Sequence, residues 1–161
     1  MDIETTPINF RRTLIAGNIY TALRQYVDSQ SQSVGRVLPG GLYYVLWKAS
    51  AGVKLAQVPD VSYLRPDKLN VFDATLPYPG APDFAVECVT ITEADMVALE
   101  KVRDYLAAGT EEVWVAYAGL GEVHRYRRDN PRTIQAFVGD DVIDGGTLFP
   151  GLQLVTSDLF R

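Results

Sequence analysis

Glu87 is the residue of this sequence whose position most strongly suggests chemistry. It lies within the apolar run Phe84–Val89, which follows Pro82 and is typical of a strand buried on both faces of a sheet. A buried carboxylate costs several kcal/mol unless a cation or hydrogen-bond donors meet it. Glu87 therefore needs a partner.

Asp60 is a second carboxylate that could share such a site. It stands in Val58-Pro59-Asp60-Val61, at the mouth of a predicted strand made otherwise of apolar residues. Two carboxylates from adjacent strands form a hard oxygen site suited to Mg²⁺ or Mn²⁺. The pair Asp60 and Glu87 therefore predicts a divalent metal site.

Lys101 is the cation closest in sequence to Glu87. It lies on the predicted helix that follows the Glu87 strand, about 100° from Val102, on the rim of the buried stripe of that helix. Its ammonium group could reach back toward Glu87. In that position it could steady both carboxylates and a nucleophilic water.

Each of these residues has a purely structural alternative that the pattern leaves open. Glu87 could form a buried ion pair with Lys101 or with an arginine. Asp60 could be a turn carboxylate that accepts backbone N–H bonds after Pro59. Lys101 could be a solvated helix lysine.

The elements that must position these residues follow from hydrophobic periodicity and from glycine and proline punctuation. A first amphipathic helix is predicted over 6–29, with Thr6 as a possible N-cap and Pro7 at its first position. A capping box at 92–95 starts a second helix that runs to Ala108 and is stopped by Gly109. Because this helix lies between strands 83–89 and 112–117, the two strands are expected to be parallel.

The remaining segments read as short strands and turns. Strands are predicted over 34–38, 42–48 and 61–64, a helical turn over 66–70, an irregular loop over 76–82, a hairpin over 121–127 and 132–138, and one helical turn in the tail. The chain is thus predicted to be α/β, with a mixed central sheet flanked by helices in a single domain over 1–161.

Composition narrows the function classes. The chain has 161 residues, 47% of them hydrophobic and 22% charged, which is typical of a soluble globular protein. The net charge of −5 argues against coating nucleic acid by charge alone, so any DNA contact must be local. We see no membrane span, and an acidic start without a signal-like apolar region predicts a cytoplasmic protein.

Other chemistries find little support in the sequence. One cysteine, Cys88, and one histidine, His124, cannot build a zinc site of Cys and His ligands or an internal disulfide. A serine or cysteine hydrolase lacks a nucleophile elbow. Basic residues that could contact phosphates, or form a solvated face, are Arg11 and Arg12 on the first helix and Arg125, Arg127, Arg128 and Arg132 around the hairpin.

Several segments in the same order resemble one known family. They are Pro59–Arg65, Ala81–Thr90, Glu100–Gly109, Val113–Val115 and the closing segment Asp144–Leu154, together with the first helix. They look like the Uma-two family of restriction-endonuclease-like proteins, which have the PD-(D/E)XK nuclease fold. The likeness covers most of the chain and is more specific than any single short motif.

The resemblance implies that Asp60 and Glu87 bind metal, with the backbone carbonyl of Cys88, and that Lys101 is the catalytic lysine. It implies Mg²⁺ or Mn²⁺ as cofactor, DNA as substrate and a homodimer. The wider superfamily carries its lysine two residues after the acid, where this chain has Val89, and the Uma-two pattern instead takes a lysine from the next helix. Two further departures are Thr90 where a serine is more usual and a Gly41–Tyr44 stretch without an acidic residue.

Two hypotheses follow. The first is metal-dependent hydrolysis of DNA phosphodiester bonds by Asp60, Glu87 and Lys101. The second is a catalytically silent module that keeps the nuclease fold for dimerisation or partner binding, which the acidic charge and the missing additional acid favour.

Overall fold

The computed structural model describes residues 9–32, 35–49, 52–70, 73–90 and 95–161. Its helices are α1 (Phe10–Ser29) and α2 (Asp95–Ala108). Its strands are β1 (Arg36–Pro39), β2 (Tyr44–Ala49), β3 (Gly52–Gln57), β4 (Val61–Leu64), β5 (Phe84–Val89), β6 (Glu112–Tyr117), β7 (Glu122–Arg127), β8 (Ile134–Val138), β9 (Val142–Asp144) and β10 (Gln153–Val155). Short 3₁₀ helices cover Pro66–Lys68 and Thr156–Phe160.

Six strands form the central sheet in the order β1-β4-β5-β6-β7-β8. The pair β5 and β6 is parallel and the other neighbours are antiparallel, so the sheet is mixed as predicted. A parallel pair needs a crossover connection, which α2 provides between β5 and β6. The α/β class and the βαβ unit predicted from the sequence are confirmed.

The sheet carries an apolar layer on each face. On one face α1 buries Ile15, Ile19, Leu23 and Val27, whose four-residue spacing places them on one side of the helix. The C-terminal segment packs there too, and Phe149 meets Phe84 edge-to-face at 5.3 Å between ring centroids. The other face is covered by α2 and by a hairpin of β2 and β3.

Strand β5 lies in the middle of the sheet and is buried along its whole length. Phe84, Val86 and Cys88 join the α1 layer, while Ala85 and Val89 join the α2 layer. Glu87 therefore faces α2, as the alternation of side chains along a strand predicts.

The structure departs from the sequence predictions at a few elements. α1 begins at Phe10 with Asn9 as its N-cap, while the predicted cap Thr6 and Pro7 lie outside the described residues, as do 92–94 of the predicted capping box. Strands β3, β9 and β10 were not predicted, and β2 pairs with β3 rather than joining the main sheet. In the described part of the chain, neither helix combines the length and apolar character needed to cross a membrane.

Candidate active site

Asp60 lies at the point where the pairing of β4 with β5 ends. Its main-chain N–H donates to the carbonyl of Val86 at 2.9 Å, and its Oδ2 accepts the main-chain N–H of Cys88 at 2.7 Å. The side chain thus takes the place of the next main-chain acceptor of the ladder. Because the N–H and C=O of one strand residue project to the same side, the carbonyl of Cys88 also projects to the β4 side of β5.

The guanidinium group of Arg12, on α1, hydrogen-bonds the same carboxylate. Arg12 Nη2 lies 2.9 Å from Oδ1 and 3.1 Å from Oδ2 of Asp60, and Arg12 Nε lies 3.2 and 3.3 Å from the same two oxygens. The two side chains are only 11% and 17% exposed. This is a partly buried, charge-assisted pair that involves both oxygens of Asp60.

The start of α1 is held in place beside this pair. Asn9 Oδ1 accepts the main-chain N–H of Arg12 at 3.0 Å, which caps the helix, and Asn9 Nδ2 donates to Thr90 Oγ1 at 3.3 Å. Thr90 follows directly after β5. The cap therefore ties the first turn of α1 to the end of the strand that carries Glu87.

Both oxygens of Glu87 have a partner on α2. Lys101 Nζ donates to Oε2 at 3.1 Å, and the hydroxyl of Tyr105 donates to Oε1 at 3.0 Å. Lys101 and Tyr105 are four residues apart, so they lie on the same face of α2 and reach the same carboxylate. Glu87 and Tyr105 are buried, whereas the side chain of Lys101 is 24% exposed.

Burial dominates the protonation of Glu87. Desolvation is the largest effect and raises the pKa of its carboxyl, Lys101 and the Tyr105 hydroxyl lower it, and the charge of Asp60 raises it; the net result is a pKa of about 7. Burial and the neighbouring Glu87 carboxylate also raise the pKa of Tyr105 well above its ordinary value. Tyr105 therefore stays a hydroxyl donor at neutral pH.

The structure brings the sequence-predicted residues to one end of the sheet. Asp60 hydrogen-bonds the residue next to Glu87, and Lys101 contacts Glu87 directly. The side chain of Cys88 is buried in the α1 layer, so only its backbone remains a candidate ligand. Within the described residues no group of three or more His, Cys, Asp or Glu side chains converges on one point.

Two residues of this site were not assigned to it by sequence reasoning. Tyr105 fits the apolar spacing of α2, but its four-residue spacing from Lys101 and the need of a buried hydroxyl for a partner are the signals that connect it with Glu87. For Arg12 the sequence suggests a phosphate contact or a position on a solvated face, and its contact with Asp60 fits neither. No local signal in the sequence connects it with Asp60, which lies 48 positions away.

A solvent-open cleft lies next to these residues at the ends of β5 and β6. Its volume is about 480 Å³, and it is lined by Asn9, Phe10, Arg11, Thr90, Ala118 and Gly119. The carboxyl ends of parallel strands are where open α/β sheets usually bind ligands. The cleft therefore leaves room for a ligand at the start of α1, next to the end of β5.

The arginines of the β7 region have mainly structural partners. Arg125 is buried, where it donates to the backbone carbonyl of Asp144 at 2.7 Å and to Oδ2 of Asp144 at 3.1 Å. Arg128 donates to the carbonyl of Gly109 at 3.2 Å, and Arg127 lies 3.6 Å from a carboxylate oxygen of Glu112. The possible phosphate-contact role of Arg125 is therefore wrong, because its side chain is enclosed in the fold.

The donor set at the end of the sheet suits a hard divalent cation. Carboxylate and carbonyl oxygens are the ligands that Mg²⁺ and Mn²⁺ prefer, and Asp60, Glu87 and the Cys88 carbonyl supply both kinds. The same carboxylates are held by Arg12 and Lys101. These oxygen ligands therefore fit Mg²⁺ or Mn²⁺. A bound metal ion would share the carboxylate oxygens with Arg12 and Lys101.

The chain is an α/β protein in which a mixed sheet has a helix on each face, and two carboxylates and a lysine lie at one end of the sheet. The Uma2 family model, described as "Putative restriction endonuclease", matches residues 3–157. The chain therefore belongs to the Uma2 family. No curated protein matches the sequence.

The fold is also similar to that of a solved protein. The crystal structure of a "putative nuclease" belonging to DUF820 from Anabaena variabilis ATCC 29413 superposes with a TM-score of 0.75 at 18% sequence identity. The match covers 97% of this chain and 83% of that chain. At this identity the likeness establishes the shared fold.

Proposed function

We propose that this protein is a metal-dependent DNA endonuclease that hydrolyses phosphodiester bonds. The observation that carries the proposal is the hydrogen bond of 2.7 Å from the Cys88 N–H to Asp60 Oδ2, because it brings the Asp60 carboxylate next to the residue that follows Glu87. Membership of the Uma2 family supports the same activity. Asp60, Glu87 and the Cys88 carbonyl would hold Mg²⁺ or Mn²⁺.

Each group of the site has a separate role in the proposed hydrolysis. A bound divalent ion supplies a water of lowered pKa and stabilises charge on the phosphate. Lys101 is partly exposed and directs its ammonium group to Glu87 Oε2, and in the proposed reaction it would orient a water and neutralise developing negative charge. Tyr105 fixes the other oxygen of Glu87 and keeps the carboxylate in one orientation.

One observation favours the second candidate, a catalytically silent nuclease-fold module that acts in dimerisation or partner binding. Both carboxylates already form ion pairs with protein cations, Asp60 with Arg12 and Glu87 with Lys101. A relic that had lost its metal would be stabilised by such pairs. The homodimer and the cytoplasmic location expected from the sequence stay predictions.

A cleavage assay with matched variants separates the two functions. Wild type, Asp60→Asn, Glu87→Gln, Lys101→Met and the exposed control Glu100→Gln are purified side by side, checked for folding by circular dichroism, and given plasmid and linear DNA with Mg²⁺, Mn²⁺ or a chelator. We expect Asp60→Asn and Glu87→Gln to abolish cleavage, because each removes a charged oxygen ligand. Lys101→Met should lose roughly 10²- to 10³-fold in rate and still bind Mn²⁺.

The control variant shows whether the activity belongs to this protein. Glu100→Gln, on the exposed side of α2, should cut DNA at the wild-type rate and lose all activity in the chelator. Equal residual cleavage in all five proteins would assign the activity to a contaminant. Absence of cleavage in wild type with both metals would support the silent module.

A further inference from the structure

Arg12 occupies the oxygens that a divalent cation would need. Oδ2 of Asp60 already accepts the Cys88 N–H, and the guanidinium group lies within 3.3 Å of both carboxylate oxygens. A cation bound to the carboxylate oxygens contacts them at about 2.0 to 2.6 Å. The guanidinium group and the ion would therefore compete for the same lone pairs, and their like charges would repel each other.

The helix cap and the burial of its side chain hold Arg12 in position. It lies in the first turn of α1, whose cap Asn9 accepts its main-chain N–H and also contacts Thr90 after β5. The side chain reaches Asp60 with only 11% of its surface exposed. By contrast, Arg24 on the same helix forms an exposed pair with Asp28, in which the two side chains are 49% and 58% exposed.

The two cations of the site hold their carboxylates differently. Lys101 contacts a single oxygen of Glu87 as a point charge, and the second oxygen is bound by the neutral Tyr105 hydroxyl. Arg12 contacts both oxygens of Asp60 through two nitrogens, which is the stronger and more directional arrangement. Asp60 is therefore the carboxylate that its protein cation holds through more contacts.

We propose that Arg12 is a positioning residue that holds Asp60 in the metal-free protein and is displaced from it when a divalent cation binds. The proposal rests on the proposed function in one respect, namely that Asp60 is a ligand of that cation. Arg12 keeps the carboxylate aligned with the Cys88 N–H while no ion is present. The cost of displacing it lowers the apparent affinity of the site.

Direct Mn²⁺ binding tests this without any reliance on DNA cleavage. Free Mn²⁺ is followed by electron paramagnetic resonance while wild type, Arg12→Met, Arg12→Lys, Asp60→Asn and the control Arg24→Met are titrated. We expect Arg12→Met to lower the dissociation constant roughly tenfold, the scale expected when a charged hydrogen-bonded competitor is lost. Arg12→Lys, which keeps the charge but not the fork, should lie between wild type and Arg12→Met.

The controls separate this inference from the metal site itself. Arg24→Met should bind like wild type, and Asp60→Asn should abolish binding. Equal or weaker binding by Arg12→Met, with binding still dependent on Asp60, would overturn the role of Arg12 and leave the metal site intact. Absence of binding in wild type and every variant would overturn the metal site and the role of Arg12 together.

Folding of the variants decides which comparison is used. Circular dichroism and thermal unfolding are recorded for each protein before the titration. If Arg12→Met does not fold, the comparison of wild type with Arg12→Lys carries the test, and equal dissociation constants for those two would refute competition. Binding by Arg12→Met where wild type shows none would be the strongest support.

Discussion

Replacing Glu87 with glutamine should change how the stability of the metal-free protein depends on pH. Glu87 is 3% exposed, and burial raises the pKa of its carboxyl from an ordinary 4.5 to about 7. Between these two pH values the unfolded chain ionises Glu87 while the folded protein keeps it protonated. The unfolded state then binds fewer protons, so the free energy of unfolding falls as pH rises.

The size of this effect follows from the shift. Each pKa unit corresponds to about 1.4 kcal/mol, so a rise from 4.5 to about 7 amounts to about 3 kcal/mol lost between pH 4.5 and pH 7.5. The loss is complete above the folded-state pKa and absent below the unfolded-state value. Glutamine keeps the shape of the side chain and an oxygen acceptor but has no proton to lose, so Glu87→Gln should not show this decline.

Urea unfolding in the presence of a chelator measures the difference. The free energy of unfolding is determined for wild type, Glu87→Gln and the exposed control Glu100→Gln at several pH values from 4.5 to 8. We expect the advantage of Glu87→Gln over wild type to grow by about 3 kcal/mol across this range, and Glu100→Gln to follow wild type. Parallel pH curves for wild type and Glu87→Gln would refute the claim that burial of this carboxyl controls its protonation.

Two further variants probe the site and the core. Tyr105→Phe removes the donor to Glu87 Oε1. It should therefore lower the free energy of unfolding at pH 8 by about 1 to 3 kcal/mol and move the Glu87 titration to higher pH. Both effects are measured by urea unfolding at a series of pH values. A titration unchanged from wild type would contradict the role given to the hydroxyl. Ile19→Ala, in the fully buried stripe of α1, should lower the free energy of unfolding by about 2 to 5 kcal/mol. Leu120→Ala, at a site that is 63% exposed, should lower it by under about 0.5 kcal/mol. Similar losses for both variants would contradict the assignment of the core.

The sequence predicted the elements whose signals are local. The apolar run around Glu87 predicted β5, and the alternation of side chains along that strand puts Glu87 on the same face as Ala85 and Val89. The end of α2 followed from Gly109, whose φ of 111° suits glycine, and β6 was predicted with its observed bounds. Strand β3 was not predicted because its Lys54 and Gln57 interrupt the apolar pattern. It is a strand because it pairs with β2 in a hairpin.

The partners of the candidate site residues were harder to predict than the residues themselves. Glu87 was recognised because an isolated carboxylate in an apolar run must find a partner, and Lys101 and Tyr105 lie on the next helix along the chain. The contact between Arg12 and Asp60 joins α1 to the start of β4 and depends on how the helix crosses the sheet. Such a contact leaves no trace in periodicity, so only the folded structure shows it.

The charges at this end of the sheet explain how an acidic protein could act on DNA under the proposed function. Asp60 and Glu87, when both are ionised, carry two negative charges, and Arg12 and Lys101 carry two positive charges against them. The site is then formally neutral within a chain of net charge −5, so it offers little attraction to a phosphate. A divalent ion held by the same carboxylates would add two positive charges where the phosphate must lie. Affinity for DNA would therefore depend on a local surplus of charge at the loaded site, and the protein needs no extended basic surface to obtain it.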